Sequence, residues 1–180
     1  MKFDTREKRF PRKQTLYDIF SKAVNTVRSV KEVLGTEYPH YEDHCDDILR
    51  LQQAFEVYKA HHNLMDYDDL LLHLRKLLRD APKVRETLCA RYRYIMVDEY
   101  QDTNLIQAEI IRLLASSHGN VMVVGDDSQS IYSFRGATIR NILDFPDQYP
   151  GCNVIRLEEN YRSTQPILDL TNEIIRRARD

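Results

Sequence analysis

The sequence predicts an α/β protein, a helical part followed by a small parallel sheet, on three observations. Apolar residues recur at threes and fours through the first eighty residues, the period of amphipathic helices. From Tyr94 the pattern changes to short apolar runs rich in strand formers, each ending abruptly in carboxylates. Helical spacing returns between the first two runs, so strand, helix and strand alternate as in a parallel sheet.

The elements follow in order. From Gln14 to Leu34 the positions Leu16, Ile19, Phe20, Ala23, Val24, Val27, Val30, Val33 and Leu34 fall on one helical stripe, with Gly35 as its stop. A second periodic stretch runs from about Tyr41 to His62, and a leucine-dense third from about Tyr67 to Leu78. Asp66 is placed to cap that third helix, with Asp68 and Asp69 in its first turn, which gives these carboxylates a structural role rather than a metal site. Pro82 fits the first turn of a short helix capped from Asp80. Tyr94-Ile95-Met96-Val97 reads as a buried strand ending in Asp98-Glu99, and Val121-Met122-Val123-Val124 as a second ending in Gly125-Asp126-Asp127. Val154-Ile155-Arg156-Leu157 repeats the pattern more weakly before Glu158-Glu159. The intervening helix carries Leu105, Ala108, Ile111, Leu113 and Leu114. Open parallel sheets bind ligands beyond the carboxyl ends of their strands, so acids there draw attention.

Composition excludes several classes. A hydrophobic content of 42% supports a packed core, and 26 basic against 28 acidic side chains leave a net charge of −2. That balance is not the strongly basic surface of a protein that coats DNA. Cys45, Cys89 and Cys152 lack Cys-x-x-Cys spacing, which argues against a zinc site or a disulfide framework and fits a reducing cytoplasm. There is no membrane-length apolar stretch, and the charged start does not lead into a signal peptide, so the chain is read as cytoplasmic without a membrane partner. Lys8, Arg9, Arg12 and Lys13 form a basic cluster that reads first as a solvated face and second as a phosphate contact.

The chemistry concentrates in three blocks. Ile95-Met96-Val97-Asp98-Glu99-Tyr100-Gln101-Asp102-Thr103-Asn104 places adjacent acids at a strand tip, where the first suits magnesium and the second a water molecule, the arrangement of a Walker B pair. An Asp-Glu pair alone is common as a solvated turn; the apolar strand before it and Tyr-Gln-Asp-Thr-Asn after it make the string specific. Here the chain resembles the UvrD/PcrA/Rep family of superfamily 1 DNA helicases, whose acid box has this form. The second block, Val121 to Ala137, resembles the family's motif III. The resemblance implies that Gln129 senses the terminal phosphate of ATP, that Tyr132 and Phe134 lie toward single-stranded DNA, and that Arg135 links the two sites. Stacking on an aromatic ring supplies sequence-tolerant affinity, which suits a motor that steps over any base. The third, Leu157-Glu158-Glu159-Asn160-Tyr161-Arg162-Ser163-Thr164, resembles motif IV. There Tyr161 is implied to pack on the adenine and Arg162 to reach the terminal phosphate as an arginine finger. A weaker resemblance to the family's helical insert lies in Ile19-Phe20-Ser21-Lys22-Ala23-Val24-Asn25 and Met65-Asp66-Tyr67-Asp68-Asp69-Leu70-Leu71.

The resemblance implies an ATP- and Mg2+-dependent DNA helicase that moves 3′ to 5′ on single-stranded DNA and opens duplex junctions. Asp98 would organise magnesium and Glu99 would activate the attacking water. It also implies a domain division: residues 1–90 as the helical insert, 91–157 as a partial P-loop NTPase (RecA-like) motor domain, and 158–180 as motif IV with the first helix of a second motor domain. The 180 residues hold no Gly-x-x-x-x-Gly-Lys-Ser/Thr string, and the five glycines cannot be arranged into one. The expectation is an internal segment whose partners are the Walker A part and the second motor domain of a longer chain, and which alone hydrolyses ATP poorly. A non-catalytic DNA-binding or recruitment module derived from a helicase is the alternative. A nuclease needs convergent carboxylates around metal ions, and after Arg162 only Asp169, Glu173 and Asp180 follow, on a helical run.

Overall fold

The computed structural model describes residues 10–133 and 136–178. Its helical part comprises α1 (Lys13–Asn25), α2 (Val30–Glu37), α3 (Cys45–His61), α4 (Tyr67–Asp80) and α5 (Pro82–Arg91). Strand β1 (Ile95–Val97), α6 (Leu105–Leu114) and β2 (Val121–Val123) then form one crossover unit. Short helices α7 (Arg140–Leu143) and α8 (Phe145–Gln148) follow, and α9 (Gln165–Ala178) comes last. The strands pair in parallel with Ile95 opposite Val121 and Val97 opposite Val123. This is an α/β arrangement, mostly helical, with a small parallel sheet.

The apolar stripe expected as one helix from Gln14 to Leu34 is two. Ser29 caps α2 through a capping box with Glu32, accepting from its N–H at 3.2 Å, and so starts a new helix where the stripe alone shows continuity. Val27 sits between them at φ +54°, and Arg28 N–H closes the end of α1 onto Ala23 O at 2.9 Å. A β-branched residue thus occupies the left-handed position that glycine usually fills. Gly35 lies inside α2 rather than ending it. The helix expected from about Tyr41 begins at Cys45, as α3, after a 3-10 turn over Pro39–His44.

Two cores hold the chain. Ile19, Ala23, Val30, Val33, Leu34 and Ile48 join α1, α2 and α3. Leu78, Ile106 and Ile110 join α4 to α6, with Val24, Leu71, Leu72, Leu88, Leu113 and Leu114 packed around them. The second core locks the crossover helix onto the helical part. Cover on the sheet is one-sided: Ile95 and Val97 are half-buried, whereas Met96 is 72% exposed and Met122 and Val124 are exposed too. The expected buried strand is therefore half-buried on one face only, as successive side chains alternate. Residues 154–157 form no strand and pair with no strand among the described residues, and Val154, Ile155 and Leu157 are exposed.

The carboxyl-rich turn before α4 is a cap and a counter-ion. Asp66 and Asp69 exchange backbone and side-chain hydrogen bonds at 2.9 Å in a capping box. Both also accept from the buried Lys59 Nζ of α3, at 3.1 and 2.9 Å, which Glu56 flanks at 3.1 Å. Burial alone would lower the Lys59 pKa, but its hydrogen bonds to Asp69, Glu56 and Asp66 raise it well above the ordinary lysine value. Burial would likewise raise the Asp69 pKa, yet the Asp66 N–H and Lys59 hold it below the carboxylate range. Asp80, expected to cap α5, ends α4 and accepts from Arg79 Nε instead; Ala81 takes the cap position with no side-chain bond.

A folded pKa below its unfolded value stabilises above the unfolded value, and that stability is lost as pH falls through the folded one. Lys59→Met, which leaves Asp69 buried without its cation, is expected to cost about 3 kcal/mol at neutral pH. Urea denaturation should show that deficit narrowing as pH falls below about 4 and Asp69 becomes neutral. A deficit independent of pH would mean that lost packing, not charge pairing, is responsible.

Candidate nucleotide and DNA site

The site is built at the carboxyl tips of β1 and β2. The chain leaves β1 through Asp98 and turns sharply at Glu99, which is left-handed at φ +49° and ψ +43°. A non-glycine residue held in that region costs about 1–3 kcal/mol and persists only where its surroundings impose it. Tyr100 supplies part of that frame. It is buried, its N–H donates to Val124 O at 2.9 Å, and its ring meets Phe145 edge-on at 5.5 Å. Burial, then the nearby Tyr149, pushes its hydroxyl pKa up to about 12. Thr103 and Asn141 fasten the next turn: Asn141 Nδ2 donates to Thr103 O and Oγ1, both at 3.0 Å, and to Asn104 O at 3.2 Å.

Asp98 and Glu99 are both exposed at the tip. Asp98 Oδ1 accepts the Glu99 N–H at 3.0 Å, and its Oδ2 has no hydrogen-bond partner among the described residues. Glu99 Oε2 accepts from Gln101 Nε2 at 2.8 Å. On its other side Gln101 Oε1 accepts the Asp126 N–H at 3.1 Å, and Asp126 Oδ2 accepts from Gln129 Nε2 at 2.9 Å. Glu99 and Gln129 therefore belong to one hydrogen-bonded cluster spanning both strand tips. Gln101, 1% exposed, is its centre and was not singled out in the sequence. The available signal was an amide fixed between a strand-tip acid pair and a helix cap.

A second polar thread ties the site to the helical part. Asn104 caps α6 through a capping box with Gln107, and its Nδ2 donates to Asn25 Oδ1 at 2.7 Å. Asn25, the last residue of α1, donates in turn to Asp68 Oδ1 at 2.8 Å. Gly136, at φ +81°, lies against Asn25 so closely that a Cβ there would stand 2.8 Å from the Asn25 Cβ. Ala137 bridges to Asn104 across the same gap. Asn25 appeared in the sequence only within a helix string, because nothing in its neighbourhood reveals a partner 79 residues away.

The remaining expected site residues are placed unequally. Tyr132 is exposed, whereas Phe134 and Arg135 lie outside the described residues, as do Lys8 and Arg9 of the basic cluster. Arg12 and Lys13 are exposed. Tyr161 is 91% exposed and hydrogen-bonded to Glu159; Asn160 Oδ1 accepts the Arg162 N–H at 2.9 Å. No hydrogen bond among the described residues brings Tyr161 or Arg162 to the acid pair.

The donor chemistry at the tips fits magnesium in part. Asp98 offers a hard carboxylate oxygen in water, but the described residues assemble no group of three or more acids, histidines or cysteines around one point. That set suits an ion held mainly by phosphates and water, not a protein cage. Among the described residues no helix is long and apolar enough to cross a membrane.

Gly125 is the tightest point. A Cβ there would lie 2.4 Å from Gln101 Oε1 and 2.7 Å from Ile142 Cδ1. Gly125→Ala is expected to destabilise the chain by about 1–3 kcal/mol through this overpacking. Denaturant melts of the two forms check it, and equal midpoints would refute the close approach.

A family model described as UvrD/REP helicase N-terminal domain matches residues 2–150. The ATP-dependent DNA helicase PcrA of Staphylococcus aureus is 43% identical over 133 residues, covering 74% of this chain and 18% of that protein. PcrA of Staphylococcus epidermidis is 41% identical over the same length, with the same coverage. A probable DNA helicase II homolog of Rickettsia felis is 47% identical over 113 residues, covering 63% of this chain and 17% of its own. The chain thus spans less than one fifth of the length of these relatives. With the acid pair at the strand tips and a family match over most of its length, the chain belongs to the UvrD/REP helicase N-terminal domain family.

Proposed function

We propose that this chain is the acid-box part of an ATP-dependent DNA helicase motor that moves 3′ to 5′ on single-stranded DNA and opens duplex junctions. The observation that carries the reading is the joining of Glu99 and Gln129 in one hydrogen-bonded cluster at the sheet's carboxyl end. An acid and an amide joined through Gln101 and Asp126 at parallel strand tips suit a γ-phosphate and its attacking water.

The roles follow from atoms. Asp98 Oδ2, without a protein partner among the described residues, is the oxygen that would hold magnesium. Magnesium, bound with the nucleotide, neutralises charge on the phosphate oxygens. Glu99 uses Oε2 to accept from Gln101, which leaves Oε1 to accept a proton from water. Gln129 presents its amide to the terminal phosphate. Tyr161 is assigned to the adenine and Arg162 to the γ-phosphate, where a planar guanidinium meets oxygens in a fork. Tyr132, Phe134 and Arg135 are assigned to single-stranded DNA. The 1–90, 91–157 and 158–180 division is retained in this reading, with a phosphate-binding loop and a second motor domain supplied by a longer polypeptide. The alternative is a non-catalytic DNA-binding or recruitment module derived from a helicase.

Titration of magnesium-ATP and of single-stranded DNA separates these readings. The 180 residues are expected to bind DNA, with Phe134→Ala weakening it by about tenfold, a stacking loss, and to turn over little or no ATP. In the full-length polypeptide, magnesium-dependent turnover should vanish with Glu99→Gln while nucleotide binding persists. DNA binding with no turnover in the full-length form would establish the non-catalytic module instead.

A further inference from the structure

We propose that Gln101 is a positioning residue that couples Glu99 to Gln129, so that the water-facing acid and the phosphate-sensing amide move as one unit; the functional meaning rests on the reading above. Its amide is a two-sided connector. Nε2 donates to Glu99 Oε2 at 2.8 Å, while Oε1 accepts the Asp126 N–H at 3.1 Å. Neither end can be exchanged. Rotating the amide by half a turn would set its oxygen against a carboxylate and its nitrogen against an N–H, so the partners alone fix its orientation.

The connector is also confined. Gln101 is 1% exposed, and a Cβ at Gly125 would meet its Oε1 at 2.4 Å, so the β2 tip closes down directly on the amide. A buried amide that loses a partner is costly, which makes the two bonds interdependent. Beyond Asp126 the path has one more link, Asp126 Oδ2 to Gln129 Nε2 at 2.9 Å. A displacement of Gln129 toward or away from a phosphate thus pulls on Asp126, on Gln101 and on the Glu99 carboxylate. The left-handed backbone at Glu99 gives that carboxylate few other anchors: Gln101 is its hydrogen-bond partner among the described side chains. The coupling would align the acid when the sensor is engaged. Alignment errors of about 1 Å at a reacting water cost on the order of a hundredfold in rate.

Two variants separate coupling from bulk. Gln101→Glu keeps an acceptor for the Asp126 N–H and loses the donor to Glu99 and, at 3.4 Å, to Asp102; Gln101→Met keeps volume and loses all three bonds. On the 180-residue chain, the side-chain amide signals of Gln129 are followed by nitrogen-15 NMR as Glu99→Ala is introduced. A shift is expected with Gln101 present and is expected to disappear with Gln101→Met. An equal shift in both backgrounds would mean that the charge of Glu99 acts through space, and would overturn the coupling.

In the full-length polypeptide, Gln101→Glu is expected to lower kcat for ATP by roughly tenfold to a hundredfold with KM unchanged. Unchanged kcat, or kcat and KM shifting together with Tm, would show a structural residue only. If full-length wild type has no magnesium-dependent ATPase, the proposed function fails, whereas the NMR comparison still decides whether the connector exists.

Discussion

Two strands of three residues cannot hold together in water on their own. The packing of α6 against α4 through Leu78, Ile106 and Ile110 is the contact on which the site therefore depends. That core fixes the crossover helix, the helix fixes the spacing of β1 and β2, and the strand tips fix the acid pair and the Gln129 turn. Hydrophobic burial here sets the position of exposed carboxylates. It contributes nothing to their chemistry directly.

Polar contacts finish what the core begins. The helical part reaches the sheet by a thread of side-chain amides and one carboxylate, Asn104 to Asn25 to Asp68, set between α6, α1 and α4. Gly136 rests on the same asparagine, so the chain at Gly136 is positioned from the end of α1. The Lys59 cluster between α3 and α4 is separate and structural: Asp66 and Asp69 are committed to the helix cap and to that cation.

The legible parts were those whose signals are local. The apolar runs ending in acids gave the strands, because a parallel strand is written continuously and its ligand end is marked by polarity. The Asp66 cap and the α6 helix were readable for the same reason. The break between α1 and α2 was also local, in Ser29-x-x-Glu32, but the stripe of apolar residues runs straight through it and masks the cap. The run at Val154 has strand composition without a strand, since a ladder needs a neighbour and composition cannot supply one. Gln101 and Asn25 were out of reach for a different reason. Each is an ordinary amide until its partners are known, and those partners come from other elements.

The span of the Asn25 contacts has a kinetic side. One partner, Asp68, is 43 residues along the chain and another, Asn104, is 79. Closing loops of that length precedes any reward from the contact, so such links form slowly compared with the helices they join. The crossover unit can collapse around its own helix first, but the turn at Gly136 has no seat until α1 has docked. Assembly of the strand-tip end is thereby placed late in folding, after the helical part is in position, and a chain interrupted between Asn25 and Asp68 would reach a packed α6 before it reached a formed site.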